Sequence, residues 1–180
     1  MNARRLVYET LSVLLLCGLI EILAGTTLGE MESFLESLPG LIIMVPPMLD
    51  LRGDINGSFA ARLGSGIHLG TIDFKHSDEI LENLKAVLLM SVVAPAIIAT
   101  VTFCVCYLLA LPSVEFLKLL FIAVCTGLTS GIVLSILSIL VTYGASRAGL
   151  DPDNITIPIL STLGDFVVIL SLLLFTVVVA

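Results

Sequence analysis

The chain has 180 residues, 58% of them hydrophobic and 13% charged, with a formal net charge of −7 and a mean hydropathy of +1.15. That composition lies outside the range of soluble domains and makes the lipid bilayer the natural solvent. Eight basic residues against fifteen acidic ones, and no Trp, leave no basic patch for nucleic acid, and a chain this short that crosses the bilayer several times is expected to hold no separate soluble domain.

The first predicted span covers residues 6–28. Arg4 and Arg5 precede an apolar run, as in a signal peptide, but the apolar character continues past Glu21 to Gly25 and Gly29, too long for a signal core, so a retained transmembrane helix is expected. Glu9 and Glu21 lie about 120° apart around that helix. Glu9 fits an interfacial charge; Glu21, deeper, fits either a hydrogen bond to a neighbouring helix or a contact to a transported species.

The second span, residues 36–69, is irregular. Pro46 and Pro47 remove two ladder donors and predict a broken helix, followed by Asp50, Arg52, Asp54, Asn56 and Arg62 in close succession. At helical spacing Pro46, Asp50, Asp54, Gly57 and Ala61 share one face. The alternative, a helix that ends at Pro47 with a solvated loop after it, is disfavoured by the apolar, small-residue run 58–70. Residues 68–79, with His68, Asp73, Lys75, His76 and Asp78, read as a solvated loop, because the histidine spacing matches no standard metal-ligand cluster.

The third span, residues 80–111, carries Pro95 as an expected kink and ends in a turn at Leu111-Pro112-Ser113. The fourth, residues 114–147, has a stripe of Gly127, Ser130, Gly131, Ser135 and Ser138 suited to close helix packing. The four cysteines, Cys17, Cys104, Cys106 and Cys125, sit in apolar runs without CxxC spacing and read as small buried hydrophobes.

The fifth span, residues 153–179, places Asp165 about 18 Å along the helix, near the middle of a hydrocarbon core about 30 Å thick. A carboxylate there costs roughly 2.5–3.5 kcal/mol and usually faces a bundle interior or an aqueous path. Asn154, Pro158, Ser161, Thr162 and Thr176 fall within about 60° of it, a polar stripe on an apolar helix. Carboxylate, amide, hydroxyl and freed carbonyl oxygens are the ligands of hard divalent cations; so few carboxylates fit Mg²⁺ with retained waters better than a dehydrated Ca²⁺ cage. Without a placed thiolate or imidazole, soft metals are disfavoured.

Two motifs carry a family resemblance. The run PPMLDLRGDINGSFAARL resembles the second-helix signature of the MgtE-type magnesium transporters, and DPDNITIPILSTLGD is similar to the fifth-helix signature of the same superfamily, above all its animal solute-carrier branch. The resemblance implies a single five-helix domain over residues 1–180, a pore between two copies of the chain, a cation site at Asp165 with Asp54 and Asn56 as further ligands, and Gly53 and Gly57 lining the same pore. With Asp50, Asn154, Ser161 and Thr162 from the helical faces, these are the candidate pore residues. Where the family has Gly-Gly-Asn, this chain has Arg52-Gly53-Asp54, a cation and an added carboxylate. The sensor domains of bacterial members are not expected.

The resulting expectation is an all-α integral membrane protein with five transmembrane helices and a pore at a homodimer interface. It would transport a divalent cation, Mg²⁺ before Mn²⁺, Co²⁺ or Zn²⁺, with no cofactor. Arg4, Arg5, Lys75 and Arg147 place the N-terminus in the cytoplasm and the C-terminus outside the cell membrane. A proton- or Na⁺-coupled exchanger and a non-transporting membrane scaffold are the competing readings. An enzyme is not expected, since neither HExxH nor GxSxG occurs.

Overall fold

In the computed structural model, which describes residues 3–30, 32, 35, 40–70, 72, 78–149 and 152–179, the described chain is helical with no strand. Five long helices follow one another: α1 (Ala3–Glu30), α2 (Leu41–Leu69), α3 (Asp78–Leu108), α4 (Phe116–Arg147) and α5 (Pro152–Val179). Four are long and apolar enough to cross a membrane, over Leu11–Glu30, Asp78–Leu108, Phe116–Arg147 and Thr156–Val179. The chain is a multi-pass membrane protein. α2 is the exception in composition: Asp50, Arg52, Asp54 and Arg62 make it too polar to face lipid all round. Its 29 residues are long enough to span, at about 1.5 Å per residue, and it packs against α3, α4 and α5.

Glycines in the left-handed region bound α2. Gly40 at φ +93° precedes it, and Gly70 at φ +68° ends it, with the Gly70 N–H directed back to the carbonyls of Gly66 and Ile67. The expected break at Pro46–Pro47 is not an interruption, because α2 is helical on both sides of the pair. The prolines sit in the second turn, so their missing N–H groups strip ladder partners only from the carbonyls of Ile42 and Ile43, and the helix continues. α3 stops at Leu108, three residues before the expected end of the third span. Ala110 takes φ +53°, and Leu111 donates its N–H to the Cys106 carbonyl at 2.9 Å, which turns the chain.

The α3–α4 contact follows from small residues. A Cβ at Gly127 would collide with Pro95 and with the Ser91 carbonyl, the carbonyl that Pro95 leaves without its ladder donor. Close backbone approach of this kind is how helices associate where lipid removes the hydrophobic incentive. The hydroxyls of Ser130, Ser135 and Ser138 donate to carbonyls of their own helix at 2.6–2.7 Å and need no partner across the interface.

Two apolar clusters fill the bundle. One joins Met44 and Met48 of α2 to Leu119 and Ile122 of α4 and Val168 and Leu172 of α5; the other joins Ile55, Phe59 and Leu63 of α2 to Ile80 and Val87 of α3. On α2 the buried Arg52 falls between them, and on α5 Asp165, Thr162 and Ser161 precede the residues of the first cluster. The middle of the bundle is therefore a polar layer between apolar ends.

Candidate functional site

Asp165 is the fourteenth of the 28 residues of α5 and is half-buried. Two other carboxylates, Glu21 of α1 and Asp50 of α2, lie within electrostatic reach of it. α5 holds this arrangement on both sides. Toward α1, Thr162 Oγ1 donates to Glu21 Oε1 at 3.0 Å, fixing Glu21 less than one turn from Asp165. Toward α2, the helices meet where Gly53 faces Ser161, whose Oγ would be 3.7 Å from a Cβ at residue 53. Thr162 is buried and Ser161 half-buried, so the α5 hydroxyls sit in the packed layer beside the carboxylate.

Among the described residues, no three His, Cys, Asp or Glu side chains come close enough together to hold a bare metal ion. The carboxylates and hydroxyls placed around Asp165 are oxygen donors spread over three helices. Such a set suits a hard cation that keeps much of its hydration shell, with carboxylates acting through water. A stripped ion would need more ligands than one chain places here.

The α2 candidates divide between two faces. Asp50 and Asp54 are exposed at the middle of an outer face of α2 that also exposes Ile42, Pro46, Ser58 and Arg62. Asp50 reaches Asp165. Asp54 instead lines a cleft of about 310 Å³ between α2 and α3, with Arg62 and Asn83, and Arg62 Nη1 donates to Asn83 Oδ1 at 3.3 Å. Asn56 points inward: it is fully buried, and neither its amide oxygen nor its amide nitrogen has a hydrogen-bond partner among the described residues. Gly57 is half-buried with nothing within 4 Å of where a Cβ would be, so the α2 backbone is accessible there. The side chain of Asn154, like residues 73–77 of the polar loop, lies outside the described residues.

Arg52, which stands where a small residue was expected, leaves the Asp50 face clear. It is fully buried, and its Nη1 donates to Ser91 Oγ of α3 at 3.0 Å. Glu21 is the residue that spacing alone did not assign. Its signal was a carboxylate at the centre of a hydrophobic span, but its partner is 141 residues away, on the last helix.

Comparison with known proteins matches residues 45–175 to MgtE, a family described as divalent cation transporters. Solute carrier family 41 member 3 of Rattus norvegicus is 26% identical over 160 residues, covering 86% of this chain and 35% of that protein. The Mus musculus member 3 is 25% identical over 166 residues, covering 89% and 34%, and member 2 of Homo sapiens is 23% identical over 162 residues, covering 85% and 28%. The chain thus spans about a third of the length of the curated relatives it matches. No solved structure gives a significant match.

Proposed function

Because the chain belongs to the MgtE family of divalent cation transporters, we propose that it carries Mg²⁺ across the cell membrane through a pore between two copies of itself, with Asp165 as the mid-membrane ligand. The observation that carries this reading is a half-buried Asp165 at mid-helix with two exposed carboxylates, Asp50 and Glu21, within electrostatic reach. Three carboxylates from three helices are costly in hydrocarbon, roughly 2.5–3.5 kcal/mol each, unless water or a cation faces them.

The ion preference rests on the donors. Oxygen atoms alone select hard cations, and their wide spacing favours Mg²⁺, which binds through one or two carboxylates while keeping several waters. Mn²⁺ and Co²⁺ are the nearest competitors, with Zn²⁺ disfavoured for want of nitrogen or sulfur ligands. Asp165 and Asp50 would meet the hydrated ion, Ser161 and the backbone at Gly53 and Gly57 would line its path, and Thr162 would hold Glu21 in place. Asp54 shares the exposed face of Asp50, whereas the buried Asn56 enters as a ligand only if the interior face of α2 opens toward the pore.

The homodimer is supported by the outer face of α2. Asp50 and Asp54 are exposed at mid-helix in the single chain, where lipid would otherwise meet them. A second copy facing that side would cover them and bring two copies of Asp165 to one axis. In this proposal residues 1–180 act as one transmembrane unit, with the N-terminus cytoplasmic, as the positions of Arg4, Arg5, Lys75 and Arg147 favour.

Mg²⁺ uptake into proteoliposomes by wild type and Asp165→Ala, with Mn²⁺, Co²⁺ and Zn²⁺ as competitors, tests the reading. Saturable uptake lost in the variant is expected. Equal uptake by the two proteins would remove Asp165 from the site, and no divalent uptake at all would favour a membrane scaffold.

A further inference from the structure

α1 ends at Glu30, α2 begins at Leu41 and α3 ends at Leu108, and these termini meet at one end of the bundle around a cleft of about 810 Å³. Gly25, Leu28 and Glu32 line it from the α1 side, Ile42 and Pro46 from α2, and Leu111 from the turn after α3. The volume lies within the range of small-molecule sites, about 300–1,000 Å³. Glu21, Asp50 and Asp165 are not in its wall, so the cleft is separate from the ion site.

The wall is apolar apart from two features. Glu32 is the one charged or polar side chain among the described lining residues, and no Lys, Arg or His stands there to neutralise it. The other feature is backbone: Pro46 and Pro47 bring no N–H to the carbonyls of Ile42 and Ile43, and Ile42, Ile43 and Pro46 all border the cleft. A carbonyl without a donor at the edge of hydrocarbon is costly. On the α1 side the space is kept open by glycine, since a Cβ at Gly25 or at Gly29 would meet nothing within 4 Å.

Such a cleft fits a ligand with an apolar body and a head that is both cationic and a hydrogen-bond donor. For a multi-pass chain the ligand at hand is lipid, and the ends of spans lie at the level of the head groups. An ethanolamine head carries a primary ammonium with N–H donors, a choline head carries the charge without donors, and a glycerol head leaves the phosphate charge unbalanced. We propose that the cleft binds the head and upper acyl chain of an ethanolamine-headed phospholipid, with Glu32 as the countercharge, the freed carbonyls of Ile42 and Ile43 as acceptors, and Leu28 and Leu111 against the chain. Charge-assisted hydrogen bonds give the head its selectivity.

The test is native mass spectrometry of the full chain from detergent, with ethanolamine-, choline- and glycerol-headed phospholipids of identical acyl chains. Wild type is expected to hold one ethanolamine-headed lipid about tenfold more tightly than the choline-headed one, and the glycerol-headed one most weakly. Glu32→Gln is expected to narrow the gap to the glycerol-headed lipid. Gly25→Leu and Gly29→Leu fill the cleft from a position with no clash inside the chain and suit a helix better than glycine. Both are expected to fold and to lower retention about tenfold. Equal retention of the three lipids by wild type overturns the proposal, as does retention unchanged in both leucine variants. A fall in the dimer fraction of those variants with lipid retention intact overturns it in favour of a second copy of the chain. If neither leucine variant folds, the space is not free for a ligand and the proposal falls.

Discussion

Thr162 of α5 and Glu21 of α1 are joined by a hydrogen bond of 3.0 Å, which ties the first helix of the chain to the last at the level of Asp165. A hydrogen bond between membrane helices contributes about 0.6–2 kcal/mol, enough to orient the Glu21 side chain toward α5. Glu21→Gln keeps an oxygen that accepts from Thr162 and removes the charge. Its expected result is normal folding with the half-saturating Mg²⁺ concentration raised about tenfold in a liposome uptake assay. Normal uptake kinetics would reduce Glu21 to a helix tie.

Thr162→Val separates the tie from the charge. The shapes match and only the hydroxyl is lost, leaving Glu21 without its donor, so thermal unfolding in detergent should show a loss of about 1–3 kcal/mol. Uptake should weaken less than in Glu21→Gln, because the carboxylate stays within reach of Asp165.

Asp165→Asn tests charge against polarity at the central position. An amide still hydrogen-bonds, so helix packing should survive and the detergent-solubilised protein should unfold at a temperature near wild type. Divalent uptake should fall at least about a hundredfold, since an amide gives no charge to offset the dehydration of a doubly charged ion. Retained uptake would place the site elsewhere.

Gly127→Ala addresses the scaffold alone. The added methyl would press on Pro95 and on the Ser91 carbonyl, and the backbone atom cannot swing aside. A loss of about 1–3 kcal/mol is expected from unfolding in detergent, with ion affinity unchanged in the folded fraction.

The exposed Asp50 and Asp54 predict assembly. Native mass spectrometry from detergent should give a mass near twice 19.1 kDa. Apolar replacement of both residues should leave dimers intact if a partner buries them, and should raise the monomer fraction if their contacts across the axis are polar.

The number, order and type of the helices were legible because hydrophobic runs of this length have one solution in a bilayer, and the half-buried, mid-helix place of Asp165 was legible from its position in the fifth span. Periodicity also grouped Asp50 with Asp54 on one face. What it could not give was the neighbour each residue has: Asp50 lies within electrostatic reach of Asp165 on α5, while Asp54 lines the α2–α3 cleft. Arg52 reads in the sequence only as a cation where the family has a small residue, whereas Gly131 and Gly164, far away in sequence, make an interior slot for it. Pro46 and Pro47 predict a break that α2 does not show, since two missing donors near a helix start remove little from the ladder.

The pairing of α1 with α5 has a consequence for how the protein is made. α1 packs chiefly along α5, so it leaves the ribosome well before the helix that is its main partner. With 141 residues between Glu21 and Thr162 and synthesis at about 5–20 residues per second, α1 waits roughly 7–28 s before that hydroxyl exists. During the wait a carboxylate sits in mid-bilayer with no fixed donor, so α1 enters lipid as a provisional helix. Its place in the bundle is secured only once α5 has been made.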